Sequence, residues 1–199
     1  MTRPPRLIVG ISGASGVVYG IRLLEVCREL PVETHLVMSR AAEMTLTYET
    51  DLKPDDVRRL ADQAYPAGNV GAAIASGSFP TLGMIVAPCS IRTLSEIATG
   101  VTASLLTRAA DVTLKERRPL VLMVRETPLH GGHLRTMASL SDLGAIIAPP
   151  VPAFYAGPRS IADLVDQSVG RVLDLLRIEN DLVRRWGEPE AGGGEPIEI

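Results

Sequence analysis

The chain has 199 residues, a formal net charge of −3, 46% apolar residues and 4% aromatic residues, with a pI of about 5.7 and a mean hydropathy of +0.18. An acidic, aromatic-poor chain lacks the basic face and the stacking platform that nucleic acid requires, and no apolar run is long enough to cross a bilayer. The length suits one domain with a substantial core, and the surplus apolar surface is expected in subunit interfaces.

Residues Met1 to Arg6 carry no apolar signal region and lead straight into a strand, so a cytoplasmic location is expected. The strand Leu7-Ile8-Val9 runs into Gly10-Ile11-Ser12-Gly13-Ala14-Ser15-Gly16, and helical spacing follows over about 15–30. Strand, glycine-rich turn and helix together present backbone amides to a phosphate. The glycine spacing is GxxGxxG rather than GxGxxG, so the turn reads either as a phosphate cradle or as a tight β-to-α connection. Residues 32–38 read as a second strand, after which Ser39 caps a helix reaching about Glu49. The stretch 50–68 is polar, with a short helix or loop opening at Lys53-Pro54-Asp55-Asp56, and Ala75 to Ser78 form a small-residue loop.

Leu82 to Ala87 is a buried strand by its continuous apolar run. Pro88-Cys89-Ser90 ends it, and helices follow to about 98 and over about 102–116. Leu120 to Val124 is the next buried strand, His130 to Leu140 a helix, and Ala145 to Ile147 a short strand. Pro149 to Pro152 is stiff and extended. Ile161 to Ile178 is the last helix, and the tail, 188–199, is expected to be mobile beyond a domain spanning 1–187. Alternating strands and helices imply a three-layer α/β sandwich around a mainly parallel sheet. Ligands of such sheets lie beyond the carboxyl ends of the strands. The loops at 13–16, 39–40, 88–93, 125–126 and 149–155 are therefore expected on one edge.

Ser15, Ser39, Ser90 and Thr93 all follow strands near helix starts, where each caps a helix or donates to an anion. Of the 20 basic residues only Lys53 and Lys115 are lysine, which draws attention to Lys115. Arg108 and Lys115 lie seven apart on one helix face with Asp111 between them, either a solvated ion-pair ladder or a cationic wall for a phosphate. Arg125 ends a buried strand beside Glu126, and each charged hydrogen bond from such an arginine is worth roughly 1.5–3 kcal/mol. Cys27 reads as a small core residue. Cys89 sits where a thiolate is favoured, yet no histidine lies nearby as a base. The two cysteines make no disulfide framework. His130-Gly131-Gly132-His133 lacks the further ligands of a metal site, so no metal is expected.

Dinucleotide readings are narrowed by the end of the second strand. An NAD site places an acidic residue there, whereas this chain has Ser39-Arg40, which leaves NADP through Arg40 open. None of Tyr19, Tyr48, Tyr65 and Tyr155 has a lysine four residues on, which argues against a short-chain reductase. Mononucleotide binding, as in flavodoxin-like (Rossmann-like) folds, passes both tests.

The turn at 10–16, Ala87-Pro88-Cys89-Ser90, the run from Arg108 to Leu120, Arg125-Glu126-Thr127-Pro128-Leu129 and Pro149 to Tyr155 together resemble the UbiX flavin prenyltransferases, over roughly 6–187. The resemblance implies a flavodoxin-like homo-oligomer, typically a dodecamer, that joins dimethylallyl phosphate to reduced FMN without a metal. Prenylated FMN, the product, serves UbiD-type decarboxylases. By the same resemblance Gly13, Ala14, Ser15, Ser39, Ser90, Ile91, Arg92, Thr93 and Arg125 match FMN-binding positions. Tyr155 and Arg171 match positions holding the prenyl phosphate, joined by Arg108, Lys115, Arg125 and Glu126, some from a neighbouring subunit. Ser15 and Glu49 match polar groups at the reacting flavin edge, so Ser15, Glu49, Lys115 and Glu126 are the expected catalytic set. Trp186 matches a tryptophan near the family's C-terminus. The segment 55–75 is shorter than in some members, and Ile91-Arg92 occupies the middle of the Ser-x-x-Thr run. An FMN-dependent cysteine decarboxylase and a non-catalytic flavin-binding subunit are the alternatives that share these features.

Overall fold

In a computed structural model that describes residues 4–186, six strands form one sheet in the order β3-β2-β1-β4-β5-β6. They are β1 (Arg6–Ile11), β2 (Glu33–Met38), β3 (Gln63–Tyr65), β4 (Gly83–Cys89), β5 (Leu120–Val124) and β6 (Ile146–Ile147). All five pairings are parallel. The helices are α1 (Val17–Cys27), α2 (Arg40–Glu49), α3 (Pro54–Arg58), α4 (Ile91–Ala98), α5 (Leu105–Lys115), α6 (Gly131–Asp142) and α7 (Ile161–Leu175).

Without the three-residue edge strand β3, the order becomes that of flavodoxin, as the sequence suggested. The chain winds outward from β1 through β2 to one edge, then returns and winds through β4 to the other. The direction reverses between β1 and β4, where open α/β sheets bind their ligands.

Strand residues alternate between two cores. Leu7, Val9 and Ile11 pack with α1 and α7 residues such as Leu23, Leu24, Val169 and Leu173. Ile8, Met84 and Val86 pack with Leu94 of α4, Leu105, Leu106 and Ala109 of α5, and Leu140 of α6. Both faces are covered, which explains the continuous apolar runs of β1, β4 and β5. Burying each such leucine contributes about 1.5–3 kcal/mol.

Several elements differ from the sequence reading. Helix α1 starts at Val17, because Gly16 has φ 98°, outside helical space. Helix α7 ends at Leu175, and the chain turns at Arg177 with φ 58°. Strand β3 was not anticipated, since Gln63 and Ala64 are exposed and carry no apolar alternation. The expected tail, 188–199, lies outside the described residues. Among the described residues, no helix is long and apolar enough to cross a membrane.

Candidate functional site

Backbone hydrogen bonds continue past the strand ends and hold the loops side by side. Ser39 N donates to Ile11 O at 2.9 Å, Ser12 N to Pro88 O at 3.1 Å, and Arg125 N to Cys89 O at 3.1 Å. The fully buried Ser12 hydroxyl adds a second tie: it donates to Pro88 O at 2.9 Å and accepts from Ser90 N at 2.7 Å. Ser12 thereby fixes the first turn of α4 against the loop after β1. Gly13 is required beside it, because a Cβ there would lie 2.2 Å from the Cβ of Ala41.

A pocket of about 330 Å³ opens at this edge, lined in part by Gly13, Ser39, Arg40, Ser90, Arg92, Thr93 and Ser104. Three helices start on it, each capped by a serine. Ser39 accepts from Ala42 N at 3.1 Å, Ser90 from Thr93 N at 3.3 Å, and Ser104 from Thr107 N at 3.3 Å. Of the expected FMN-binding residues, the fold gathers Gly13, Ser39, Ser90, Arg92 and Thr93 here. The Ile91 side chain packs against the core around α4 and α5. Arg92 is exposed and paired with Glu96 at 2.8 Å. The pocket also brings in Arg40 and Ser104, which the family pattern did not supply. Ser104 was legible as a Ser-x-x-Thr capping box before a helix.

The α1 amides do not form the phosphate cradle that the glycine-rich turn suggested. Gly16 N donates to both carboxylate oxygens of Glu49, at 3.1 and 2.8 Å, and Val17 N donates at 3.1 Å. Gly16 has no side chain to cap the helix, and a carboxylate from the end of α2 takes that place. Burial pushes the Glu49 carboxyl up, but hydrogen bonds from Ser15, Gly16 and Val17 and the charge of Arg125 outweigh it, leaving it below the usual carboxylate value. Arg125 acts also on Tyr19, whose hydroxyl burial raises and Arg125 lowers, with burial dominant. Ser15, Glu49, Arg125 and Tyr19 thus form one electrostatic group. Glu126 follows Arg125, and its Oε1 accepts from Thr127 N at 3.0 Å.

The remaining expected residues lie elsewhere on the chain. Arg108 pairs with Asp111 at 2.9 Å. Lys115 ends α5, paired with Glu116 and close to the Gly77 backbone. Eleven residues at 1.5 Å each place it about 16 Å from the pocket end of that helix. The Tyr155 hydroxyl accepts from Gln167 Nε2 at 3.3 Å, and its ring meets Trp186 edge-on at 5.5 Å. Arg171 lies one turn beyond Gln167 on α7 and pairs with Asp174 at 2.7 Å.

Cysteine and histidine play other parts. Cys89 is wholly buried, and burial pushes its thiol up to about 12, so it is no nucleophile. His130 caps α6, its Nδ1 accepting from Gly132 N at 3.0 Å. Among the described residues, no cluster of three or more His, Cys, Asp or Glu is arranged to hold a metal.

The Flavoprotein family model matches residues 1–173. Flavin prenyltransferase UbiX of Escherichia coli strain K12 is 59% identical over 184 residues, covering 91% of this chain and 97% of that protein. The crystal structure of AnUbiX (PadA1) in complex with FMN and dimethylallyl pyrophosphate superposes with a TM-score of 0.92 at 51% identity, covering 94% of this chain and 100% of that one. A dodecameric FMN-dependent UbiX-like decarboxylase from Escherichia coli O157:H7 superposes with a TM-score of 0.89 at 48% identity, covering 92% of this chain and 100% of that one.

Proposed function

This chain belongs to the UbiX flavin prenyltransferase family of flavoproteins, and on that premise we propose how its own residues serve the reaction. The enzyme joins the dimethylallyl group of dimethylallyl phosphate to reduced FMN, and UbiD-type decarboxylases use the product. The observation that carries this reading is the 59% identity to an E. coli flavin prenyltransferase across 97% of that protein. Reduced FMN supplies the nucleophilic ring positions at which the five-carbon unit is attached.

The residues fit FMN. One end of the site has three serine-capped helix starts and a cation, suited to a phosphate, and the other has a carboxylate, a serine and Arg125. In our reading Gly13, Ala14, Ser15, Ser39, Ser90, Arg92, Thr93 and Arg125 hold the flavin, with Ile91 contributing through its backbone. Glu49 and Ser15 hold or move a proton at the reacting edge, and Glu126 is a second proton carrier.

Breaking the allylic C–O bond leaves its electron pair on phosphate. Arg108, Lys115, Arg125, Tyr155 and Arg171 are the groups we assign to that developing charge. A single chain spreads them over the end of β5, the length of α5, the 3-10 turn Phe154–Ala156 and α7. We therefore assign the prenyl-phosphate site to more than one chain of a homo-oligomer, a dodecamer as in the E. coli O157:H7 relative. Exposed apolar side chains, Tyr48 and Trp186 above all at 82% and 83% exposure, suit such contacts. Closing the site between chains also keeps water from the allylic cation. We place the enzyme in the cytoplasm and treat 1–187 as one functional unit.

Release of inorganic phosphate tests the reading. The protein liberates phosphate from dimethylallyl phosphate only when reduced FMN is present, with the pyrophosphate donor assayed in parallel. Phosphate release without flavin, or release of neither phosphate from the monophosphate nor pyrophosphate from the pyrophosphate donor, contradicts it.

A further inference from the structure

The 5′-phosphate of bound FMN carries about 1.5–2 negative charges near neutral pH and needs its own partners. The start of α1 is not available to it, because the Glu49 carboxylate already takes the Gly16 and Val17 amides. The starts of α2, α4 and α5 do converge, at Ser39, Ser90 and Ser104, on the pocket of about 330 Å³. Two arginines line that pocket. Arg92 is tied to Glu96 at 2.8 Å. Arg40, the first residue of α2, makes no ion pair or side-chain hydrogen bond among the described residues. It also lines the adjoining hollow under α2, where Arg58, the other cation, is committed to Glu43 and Asp55. Arg40 is thus an uncommitted positive charge beside three capped helix starts.

We infer that Arg40 binds the 5′-phosphate of FMN against Ser39, Ser90 and Ser104, and so makes the site select the mononucleotide over riboflavin. The sequence left Arg40 as the one feature compatible with a second-phosphate reader at the end of β2, and this inference gives it the flavin phosphate instead. It rests on the reading of the pocket as the FMN site. Helix dipoles and serine hydroxyls favour any anion, whereas a guanidinium adds a charged, two-pronged contact. Riboflavin has no group for it to meet.

The test is titration of the intact oligomer with FMN and with riboflavin, read by flavin fluorescence. The wild type binds FMN more tightly. Arg40→Met lowers FMN affinity about tenfold to a hundredfold, as expected for a charged hydrogen bond, and leaves riboflavin affinity within about twofold. Arg40→Lys recovers part of the loss, since it keeps the charge without the fork. The wild-type preference also weakens as pH falls through the second phosphate ionisation near 6, and Arg40→Met flattens that dependence. An unchanged FMN-to-riboflavin ratio in Arg40→Met overturns the inference. Equal loss of both ligands also overturns it, by giving Arg40 a structural role. A wild type that binds neither flavin overturns the FMN reading itself, and this inference with it.

Discussion

The Glu49 carboxylate closes the start of α1: the Gly16 amide donates to its two oxygens at 2.8 and 3.1 Å. The last residue of one helix therefore caps another, which ties the Glu49 carboxylate, proposed above to serve the reaction, to the positive end of α1. Glu49→Ala is expected to cost about 1 kcal/mol of stability, as for a lost cap, and to slow prenylation sharply. Glu49→Gln keeps one acceptor and loses less stability, but it cannot carry the proton. Because hydrogen bonds and Arg125 hold the folded carboxyl below its ordinary value of 4.5, its stabilising contribution is present above that pH and is lost as pH falls. The stability gap between wild type and Glu49→Gln therefore narrows in thermal melts taken progressively below that value.

Lys115 and Glu126, proposed above to serve the prenyl transfer, are expected to separate chemistry from flavin binding. Neither lines the pocket that gathers the serine caps, so Lys115→Ala and Glu126→Gln bind FMN nearly as wild type while losing at least about tenfold in turnover, the loss typical of a removed proton carrier or charge stabiliser. Oligomers assembled from a mixture of the two variants regain part of the activity, because a site shared between chains then contains one intact copy of each group. No recovery on mixing would place both residues in a site built from one chain.

Much of this architecture was legible in the sequence. Leu120 to Val124 and the Ser39 cap read directly, because a doubly covered strand leaves a continuous apolar run and a cap leaves a Ser at a fixed offset. The partner of Gly16 was not legible, because Glu49 is thirty-three residues away and only the packing of α2 on α1 brings it there. Ser12 likewise looked like one more residue of a glycine-rich turn. Its hydroxyl matters because β4 lies beside β1, a neighbour fixed by topology rather than by local pattern. The scatter of Arg108, Lys115 and Arg171 follows from helix length, which sends residues of one motif away from the sheet edge.

Cys89 ends β4 within the core, and its thiol is pushed up to about 12 by burial. It is expected to resist thiol alkylation in the native protein and to react only after denaturation. Modification of Cys89 by iodoacetamide in native protein at neutral pH, read by mass spectrometry, would show the site to be open.

His35 lies buried in β2 between the Tyr65 hydroxyl at 2.9 Å and Glu33 at 3.1 Å. Burial pushes its pKa below the ordinary imidazole value of 6.5, and Glu33 only partly opposes this. The unfolded chain then takes up the proton more readily, so this contribution to stability is present above that value and is lost as pH falls below it. Thermal melts between about pH 8 and 5 should show a fall in wild type that His35→Gln removes. An identical slope in the two proteins would assign the acid sensitivity elsewhere.

The most direct measurement is the mass of the flavin itself. The purified protein is incubated without oxygen with reduced FMN and dimethylallyl phosphate, and the flavin is then extracted and weighed by mass spectrometry. FMN carrying one added five-carbon unit is expected, formed only when protein, reduced flavin and donor are all present. FMN recovered unchanged from folded, flavin-binding protein would contradict it.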